Sequence, residues 1–150
     1  MGIDKDIRQS NFRNSYNKAM VNILFTNNWL LEKIKSFVKS EDITPQQYNI
    51  LRILRGASQP LSTLQIRERM LDKMSDTSRI VDRLIAKGLV KKEISTKDRR
   101  LVDISITEQG TELLAKLDAR EDELDKILHN LTAEEAELLS RFLDKLRNDQ

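Results

Sequence analysis

The stretch from 75 to 110 constrains the fold of this chain more than any other. Apolar residues first recur at helical spacing, which predicts a helix over 76–87 with Ser75 as its N-cap. Gly88 follows, where a left-handed helix end is expected. The segments 89–94 and 101–106 then predict two strands joined by a polar loop. This order favours a mainly α-helical fold that carries one small β-hairpin.

Outside this stretch the sequence predicts helices only. Apolar residues from 12 to 38 recur without Pro or Gly, so we expect one long first helix, or two nearly continuous ones, ending near Lys39. Capping boxes at Thr44, Ser62 and Thr132 predict the starts of three further helices. The first of these helices should end before Gly56, and the second should run to about Leu71. Leucines between 110 and 131 predict another long amphipathic helix.

Composition limits the chemistry open to the chain. Its 150 residues suit one compact domain, or two lobes that share a core. It has no cysteine and one histidine, which excludes disulfides and thiol sensing and leaves no metal site to expect. The sequence shows neither a glycine-rich phosphate loop nor a Ser/His/Asp set, so we expect no cofactor and no catalysis.

Hydropathy and charge indicate the cellular location of the chain and the part of it that could face nucleic acid. No apolar run approaches the roughly 20 residues of a membrane span, and the first residues lack the order of a secretory signal, so we expect a cytoplasmic protein without membrane contact. Residues 44–110 hold 13 Lys/Arg against 8 Asp/Glu, whereas 111–150 hold 6 against 11. This distribution fits one lobe that faces nucleic acid and one turned away; surface scatter is the alternative.

The helix predicted over 76–87 has two different faces. Its inner face consists of Thr77, Val81, Leu84 and Ile85. Its outer face consists of Asp76, Arg79, Arg83 and Lys87. Short polar groups followed by arginines suit a helix in the DNA major groove, and the helix from Ser62, one short turn earlier, suggests a helix-turn-helix. The alternative is a solvated amphipathic helix, because Arg and Asp at this spacing pair on any surface.

The loop 95–100 between the two predicted strands is polar and basic. An arginine at a hairpin tip suits a narrow minor groove, where negative potential is concentrated. Asp98 would repel phosphates there, so we expect it to pair with Arg100 and hold that guanidinium in one pose. Taken alone, the loop is better explained as a plain charged turn; the adjacent helix pair and hairpin reverse this preference and favour the DNA interpretation.

The run from Ser75 to Leu114 resembles the MarR family of bacterial and archaeal transcription regulators. The residues that carry the resemblance are Arg79, Asp82-Arg83-Leu84, Lys87-Gly88-Leu89-Val90, Asp98-Arg99-Arg100, Ile104, Ile106-Thr107 and Gly110. The order of elements agrees over nearly the whole chain. The Asp-Arg-Arg loop and the helix start at 107–110 are the most specific parts.

The resemblance implies a winged helix-turn-helix fold in a single domain over 1–150. Residues 44–110 would form the DNA-binding lobe, while 1–43 and 111–150 would form an all-helical dimerisation lobe. One helix would enter the major groove and the hairpin wing would reach the minor groove. The candidate DNA-binding residues are Ser62, Thr63, Ser75, Asp76, Thr77, Ser78, Arg79, Arg83, Lys97, Asp98, Arg99 and Arg100.

Two features depart from the family pattern. The turn 71–74 lacks the glycine often found between the two helices of the motif. Asp76 stands where small residues are frequent. Its carboxylate could accept a hydrogen bond from cytosine, or it could serve only to stabilise the N-terminus of the helix.

The resemblance also implies partners. A homodimer would set two recognition helices about one DNA turn apart, matching a pseudo-palindromic double-stranded operator. Many relatives bind a small aromatic or anionic effector between the lobes. Trp29 and Tyr48 are candidates to line such a pocket, although core packing is the favoured role. His129 is interpreted as a surface or capping residue rather than a metal ligand.

The sequence thus supports two classes of function. The first is a sequence-specific DNA-binding transcription regulator, a homodimeric repressor relieved by a small molecule, with repression inferred from the family alone. The alternative is a winged-helix module that binds another protein without sequence-specific DNA binding, with its acidic C-terminal half as the working surface. Loss of DNA binding in Arg79→Ala or Arg100→Ala would separate the two.

Overall fold

A computed structural model describes residues 2–148 of the chain. The mainly α-helical fold with a single two-stranded hairpin is confirmed. Among the described helices, none is long and apolar enough to cross a membrane. The elements are α1 (Ile3–Asp6), α2 (Ser15–Val38), a 3-10 turn (Lys39–Glu41), α3 (Pro45–Gly56), α4 (Thr63–Arg69), α5 (Thr77–Ala86), β1 (Val90–Ile94), β2 (Val102–Ile106), α6 (Glu108–Asp118), α7 (Glu121–Ile127) and α8 (Ala133–Arg147).

The three capping boxes form as the sequence predicts. At the start of α3, the Thr44 hydroxyl accepts from the Gln47 amide at 3.1 Å, and the Gln47 side chain accepts in return from the Thr44 amide at 3.1 Å. Ser62 and Thr132 cap α4 and α8 in the same reciprocal way. Each box satisfies amide groups that a helix start leaves without partners. Two of the helices end one or two residues away from the predicted positions. Helix α3 includes Gly56, and α4 stops at Arg69.

The single long helix predicted over 110–131 is wrong. The structure divides it into α6 and α7 at Ala119 and Arg120. The Arg120 amide donates to the Leu117 carbonyl at 2.9 Å, which closes a tighter turn than an α-helix. Its guanidinium donates to Glu123 at 2.6 Å and to the Ser40 hydroxyl at 2.7 Å. These bonds stabilise the bend and turn α7 towards the end of α2.

The hairpin is attached to the helices through a short bridge. Leu61, just before α4, exchanges two backbone hydrogen bonds with Ile104 of β2, at 2.9 and 2.8 Å. Ile104 is fully buried, whereas Val102 and Ile106 are half-buried, so the alternation predicted for β2 holds only in part. The core lies between the α3–α5 helices, the hairpin and α6; its fully buried side chains include Ile50, Leu51, Leu61, Ile66, Leu84, Ile104, Leu114 and Leu117.

The two long helices at the ends of the chain are packed much less. α8 has no buried residue, and on α2 only Phe37 and Val38 are buried. Large apolar side chains therefore lie on the surface of both helices. They are Tyr16, Met20, Ile23, Leu24, Phe25, Trp29 and Leu31 on α2, and Leu138, Leu139, Phe142 and Leu146 on α8.

Candidate nucleic-acid interface

Helix α5 presents a polar face to solvent and an apolar face to the core. Val81 and Leu84 are buried, as the spacing predicts. Ser78, Arg79 and Arg83 are exposed on the opposite side. The arginines thus project from successive turns of a helix whose inner face is fixed by packing, which is the arrangement that a groove-binding helix needs.

The start of α5 differs from the prediction, and the assignment of Ser75 as its N-cap is wrong. Asp76 is the cap, because its carboxylate accepts from the Arg79 amide at 3.2 Å. Ser75 is half-buried and its hydroxyl donates to the Asp72 carbonyl at 2.8 Å, inside the turn before the helix. Asp76 therefore stabilises the helix N-terminus, one of the two roles that the sequence left open.

Thr77 is turned away from the outer face of α5. The residue is 4% exposed, and its hydroxyl has no hydrogen-bond partner among the described residues. The side chain cannot reach a base edge from this position, so its inclusion among the candidate DNA contacts needs correction. Its other predicted role, on the inner face beside Val81, agrees with the structure.

The hairpin tip is a turn that is held by several hydrogen bonds. The Ser95 hydroxyl is buried and accepts from the amides of Lys97 and Asp98 at 3.2 and 3.4 Å. The Leu101 amide donates to the Asp98 carbonyl at 3.0 Å. Sequence reasoning passed over Ser95, although a serine two or three residues before the turn it organises is a known local signal. Lys97 and Arg99 are exposed on this tip.

The predicted pairing of Asp98 with Arg100 is present. The carboxylate accepts from the Arg100 amide at 3.0 Å, from Nε at 3.1 Å and from Nη2 at 3.0 Å. The Arg100 side chain is nevertheless 89% exposed. Hydrogen bonds from the Arg100 side chain, and then from its amide, lower the pKa of Asp98. The tip therefore displays a charged guanidinium in one defined orientation.

A second set of contacts joins the end of α5 to the start of α6. Gly88 has φ of 75°, the left-handed conformation predicted for it. The Thr107 hydroxyl donates to the Gly88 carbonyl at 2.7 Å and accepts from the Gly110 amide at 3.1 Å. These contacts fix the angle at which α5 leaves the core relative to the hairpin.

The remaining polar candidates lie at the margins of this surface. Ser62 and Thr63 are half-buried at the start of α4, where the Ser62 hydroxyl is engaged as the cap. Lys87, placed on the outer face of α5 by its spacing, instead donates through Nζ to the Asp42 carbonyl. Its charge therefore lies at the far end of α5 against the segment before α3.

A cavity of about 860 Å³ lies where the segments predicted to form the two lobes meet, and we call it the inter-lobe cavity. It is bounded by α2, α3, the turn after α4, and α7. Tyr48 is buried and also lines the cavity. This residue therefore has both of the roles considered for it, core packing and pocket lining. Trp29 is 40% exposed on α2 and is not among the lining residues. His129 is exposed before α8, and the described residues contain no cluster suited to a metal ion.

Known proteins share sequence or fold with this chain. Residues 41–101 match the model of the MarR family. The HTH-type transcriptional repressor MdtR of Bacillus subtilis is 37% identical over 79 residues, which span 53% of this chain and 50% of that protein. The family-model match over residues 41–101 includes the helix pair, β1 and the hairpin tip, and it ends before β2.

Two solved structures share the fold. One is a mutant MarR from E. coli complexed with operator DNA, with a TM-score of 0.82 and 22% identity, covering 92% of this chain and 99% of that one. The other is the organohalide-sensing RdhR regulator in its 2,4-dichlorophenol-bound form, with a TM-score of 0.82 and 21% identity, covering 93% and 86%.

The fold is thus that of the winged helix-turn-helix proteins, with α4 and α5 as the helix pair and the hairpin as the wing. Within that class, residues 41–101 are similar to the MarR family, and the fold is shared with a solved MarR structure. The proteins that this chain resembles are transcription regulators and not enzymes.

Proposed function

We propose that this chain is a homodimeric transcription repressor that binds a pseudo-palindromic DNA operator and releases it when a small molecule binds. The observation that carries the proposal is the exposed Arg100 guanidinium, fixed by Asp98 beside the basic face of α5. A fixed guanidinium loses less side-chain freedom on binding than a mobile one. It suits the narrow minor groove next to a major groove occupied by α5.

The proposed contacts divide into two kinds. On α5, Ser78, Arg79 and Arg83 face base edges or phosphates in the major groove. On the wing, Arg100 enters the minor groove, with Lys97 and Arg99 near phosphates. Ser62 and Thr63 are proposed as phosphate contacts at the edge of the surface. Ser75 and Thr77 are left out, because the first is engaged in the preceding turn and the second is buried.

The dimer is proposed from the apolar side chains that the single chain leaves on its surface. α2 and α8 together carry Tyr16, Leu24, Phe142 and Leu146, each between 59 and 84% exposed. A two-fold interface over these helices would remove these side chains from water, and exposed apolar surface of this extent is typical of an interaction site. The same two-fold axis would place two α5 helices on successive major grooves.

Relief of repression by a small molecule is proposed from the position of the inter-lobe cavity. The cavity separates the helices of the proposed dimer lobe from the helix pair that would bind DNA. A ligand there can act only through a difference in affinity between DNA-competent and incompetent arrangements. The dichlorophenol-bound form of RdhR shows a ligand on a protein of the same fold.

The direct test compares single-charge variants on a candidate operator at fixed salt. Arg100→Ala and Arg79→Ala should each weaken operator binding by about tenfold or more, through loss of a positioned guanidinium. Lys126→Ala is the matched control, since it removes one positive charge from an exposed pair with Asp122 on α7. Equal binding by all three variants would contradict the proposal and favour a protein partner.

A further inference from the structure

We propose that the inter-lobe cavity takes a lipophilic organic cation rather than an anion. The inference deepens the effector-responsive function proposed above and rests on it for its regulatory consequence. It differs from the expectation of an aromatic or anionic effector, which came from the family resemblance and not from the residues that line this cavity.

The walls of the cavity are largely apolar. Leu30, Leu31 and Ile34 of α2 form one side, while Met70 and Leu124 line it from the helix pair and from α7. With a volume of about 860 Å³, it has the size of a site for a drug-like molecule. Such walls supply affinity for an aromatic or aliphatic body but do not select its charge.

The charges on the lining select a cation. Arg52 is the basic side chain among the described lining residues, whereas Asp72, Glu121 and Asp125 are acidic. Glu121 and Asp125 are one turn apart on α7, so they share a face of that helix. Because Arg52 is paired with Glu121 at 3.4 Å, an incoming anion would meet the remaining carboxylates and be repelled.

The surroundings of Arg52 show how a cation is held in this cavity. Its guanidinium lies over the Tyr48 ring, 5.5 Å from the centroid. Its Nη1 donates to the Tyr48 hydroxyl at 3.0 Å and to Glu121 at 3.4 Å. An aromatic face beside a carboxylate is the setting that recognises organic cations. The chain thus fills this part of the cavity with a positive group of its own.

A bound cation would act on the joint between the lobes. Arg52 belongs to α3 and Glu121 to α7, so their ion pair links the DNA-binding lobe to the helices of the proposed dimer lobe. A ligand cation that binds Glu121 competes with Arg52 and weakens this link. The change in lobe orientation that follows would shift the population away from the DNA-competent arrangement.

Tetraphenylphosphonium and tetraphenylborate test the inference, because they have nearly the same shape and opposite charge. Calorimetric titration of the full chain should show tetraphenylphosphonium binding about tenfold or more tightly than tetraphenylborate. Asp125→Asn and Glu121→Gln should each weaken phosphonium binding about threefold or more. Asp125→Asn leaves the pair of Arg52 with Glu121 in place, and Glu112→Gln, on the exposed side of α6, is the control that should bind like wild type.

Tighter binding of the borate, or phosphonium binding by both cavity variants as tight as that of wild type, would overturn the inference. Operator binding without either probe is measured on the same preparations, with circular dichroism as the check of folding. If the protein binds operator normally and binds the phosphonium and the borate equally well, the result contradicts only the cation site. Carboxylate-dependent phosphonium binding by a protein that binds no operator supports the cation site and contradicts the proposed regulator function.

Discussion

Arg100 and Asp98 show how a single pair of residues can prepare a surface for binding. An aspartate on a DNA-facing tip is unfavourable by charge alone, because phosphates repel it. Here it accepts three hydrogen bonds from Arg100 and leaves that side chain 89% exposed. The carboxylate is the cause of the arginine's orientation, and this role can be separated from its charge by mutation.

Asp98→Asn should weaken operator binding by about three- to tenfold, although it removes a negative charge from the DNA-facing surface. The amide cannot accept the paired bonds of the guanidinium, so Arg100 loses its fixed orientation. Fluorescence anisotropy with labelled operator measures the change. A charge-only role for Asp98 predicts the opposite sign, namely tighter binding of the variant to any duplex.

Thr77→Val should stabilise the protein and leave its DNA affinity unchanged. The hydroxyl is buried and has no hydrogen-bond partner within residues 2–148, which costs about 1–3 kcal/mol, and valine keeps the shape of the side chain. Chemical denaturation gives the free energy of unfolding, and anisotropy gives the affinity. A loss of operator binding in a stably folded variant would show that Thr77 faces DNA after all.

At the scale of elements, a backbone bridge and a side-chain hydrogen bond hold the hairpin and the end of α5 to their neighbours. Leu61 is bridged to Ile104, and Thr107 links the end of α5 to the start of α6. Gly110 lies where a side chain would strike the Leu89 carbonyl and the Ile106 side chain. The orientation of the hairpin relative to α5 therefore depends on residues outside the proposed DNA contacts.

Gly110→Ala should lower the free energy of unfolding by about 1–3 kcal/mol, because the added methyl overlaps main-chain atoms that have little room to move. Gly56→Ala is the matched control, since a methyl there meets no atom within 4 Å. Thermal unfolding compares the two. Equal melting temperatures would contradict the close packing at Gly110.

The sequence predicted most of these elements because their signals are local. Capping boxes at Thr44, Ser62 and Thr132, and the left-handed Gly88, depend on neighbours within a few residues. The break at Arg120 depends on Ser40, which is distant along the chain, and the bridge from Leu61 depends on Ile104. The burial of Thr77 was visible in its spacing, but the resemblance also placed it among the DNA contacts.

At the scale of the whole molecule, two ion pairs join α3 to α6 and α7. Arg55 donates to Asp118 at 2.5 and 3.2 Å, and Arg52 to Glu121 at 3.4 Å. Hydrogen bonds from Arg55 lower the pKa of Asp118 below its ordinary 3.8. Because the folded-state pKa is the lower one, the pair adds stability above about pH 4 and loses it as the pH falls through the lowered value.

Arg55→Met should raise the pKa of Asp118 towards 3.8, since the hydrogen bonds that favour its carboxylate are removed. Carbon-13 NMR of the carboxyl group follows the titration. The difference in free energy of unfolding between wild type and variant should shrink from pH 7 to pH 3. A difference that is the same at both pH values would contradict the assigned ion pair.

The apolar surfaces of α2 and α8 lead to a prediction about assembly. Phe142→Asp should convert the protein to monomers and weaken operator binding, because a charge would be buried in the proposed interface. Sedimentation velocity measures the change. Met74→Ser is the control, since Met74 is 93% exposed in the turn before α5 and far from α8 in the chain. A Phe142→Asp variant that sediments like wild type would exclude this surface from the interface.

Sequence-specific DNA recognition by this chain is tested most directly by binding of the purified protein to the DNA upstream of its own gene, against a scrambled duplex, across a salt series. We expect tight, sequence-selective binding by two subunits per site, with an affinity that falls steeply as salt rises. Equal affinity for both duplexes would contradict sequence-specific recognition by α5 and the wing. Absence of binding to either duplex at low salt would contradict DNA binding altogether.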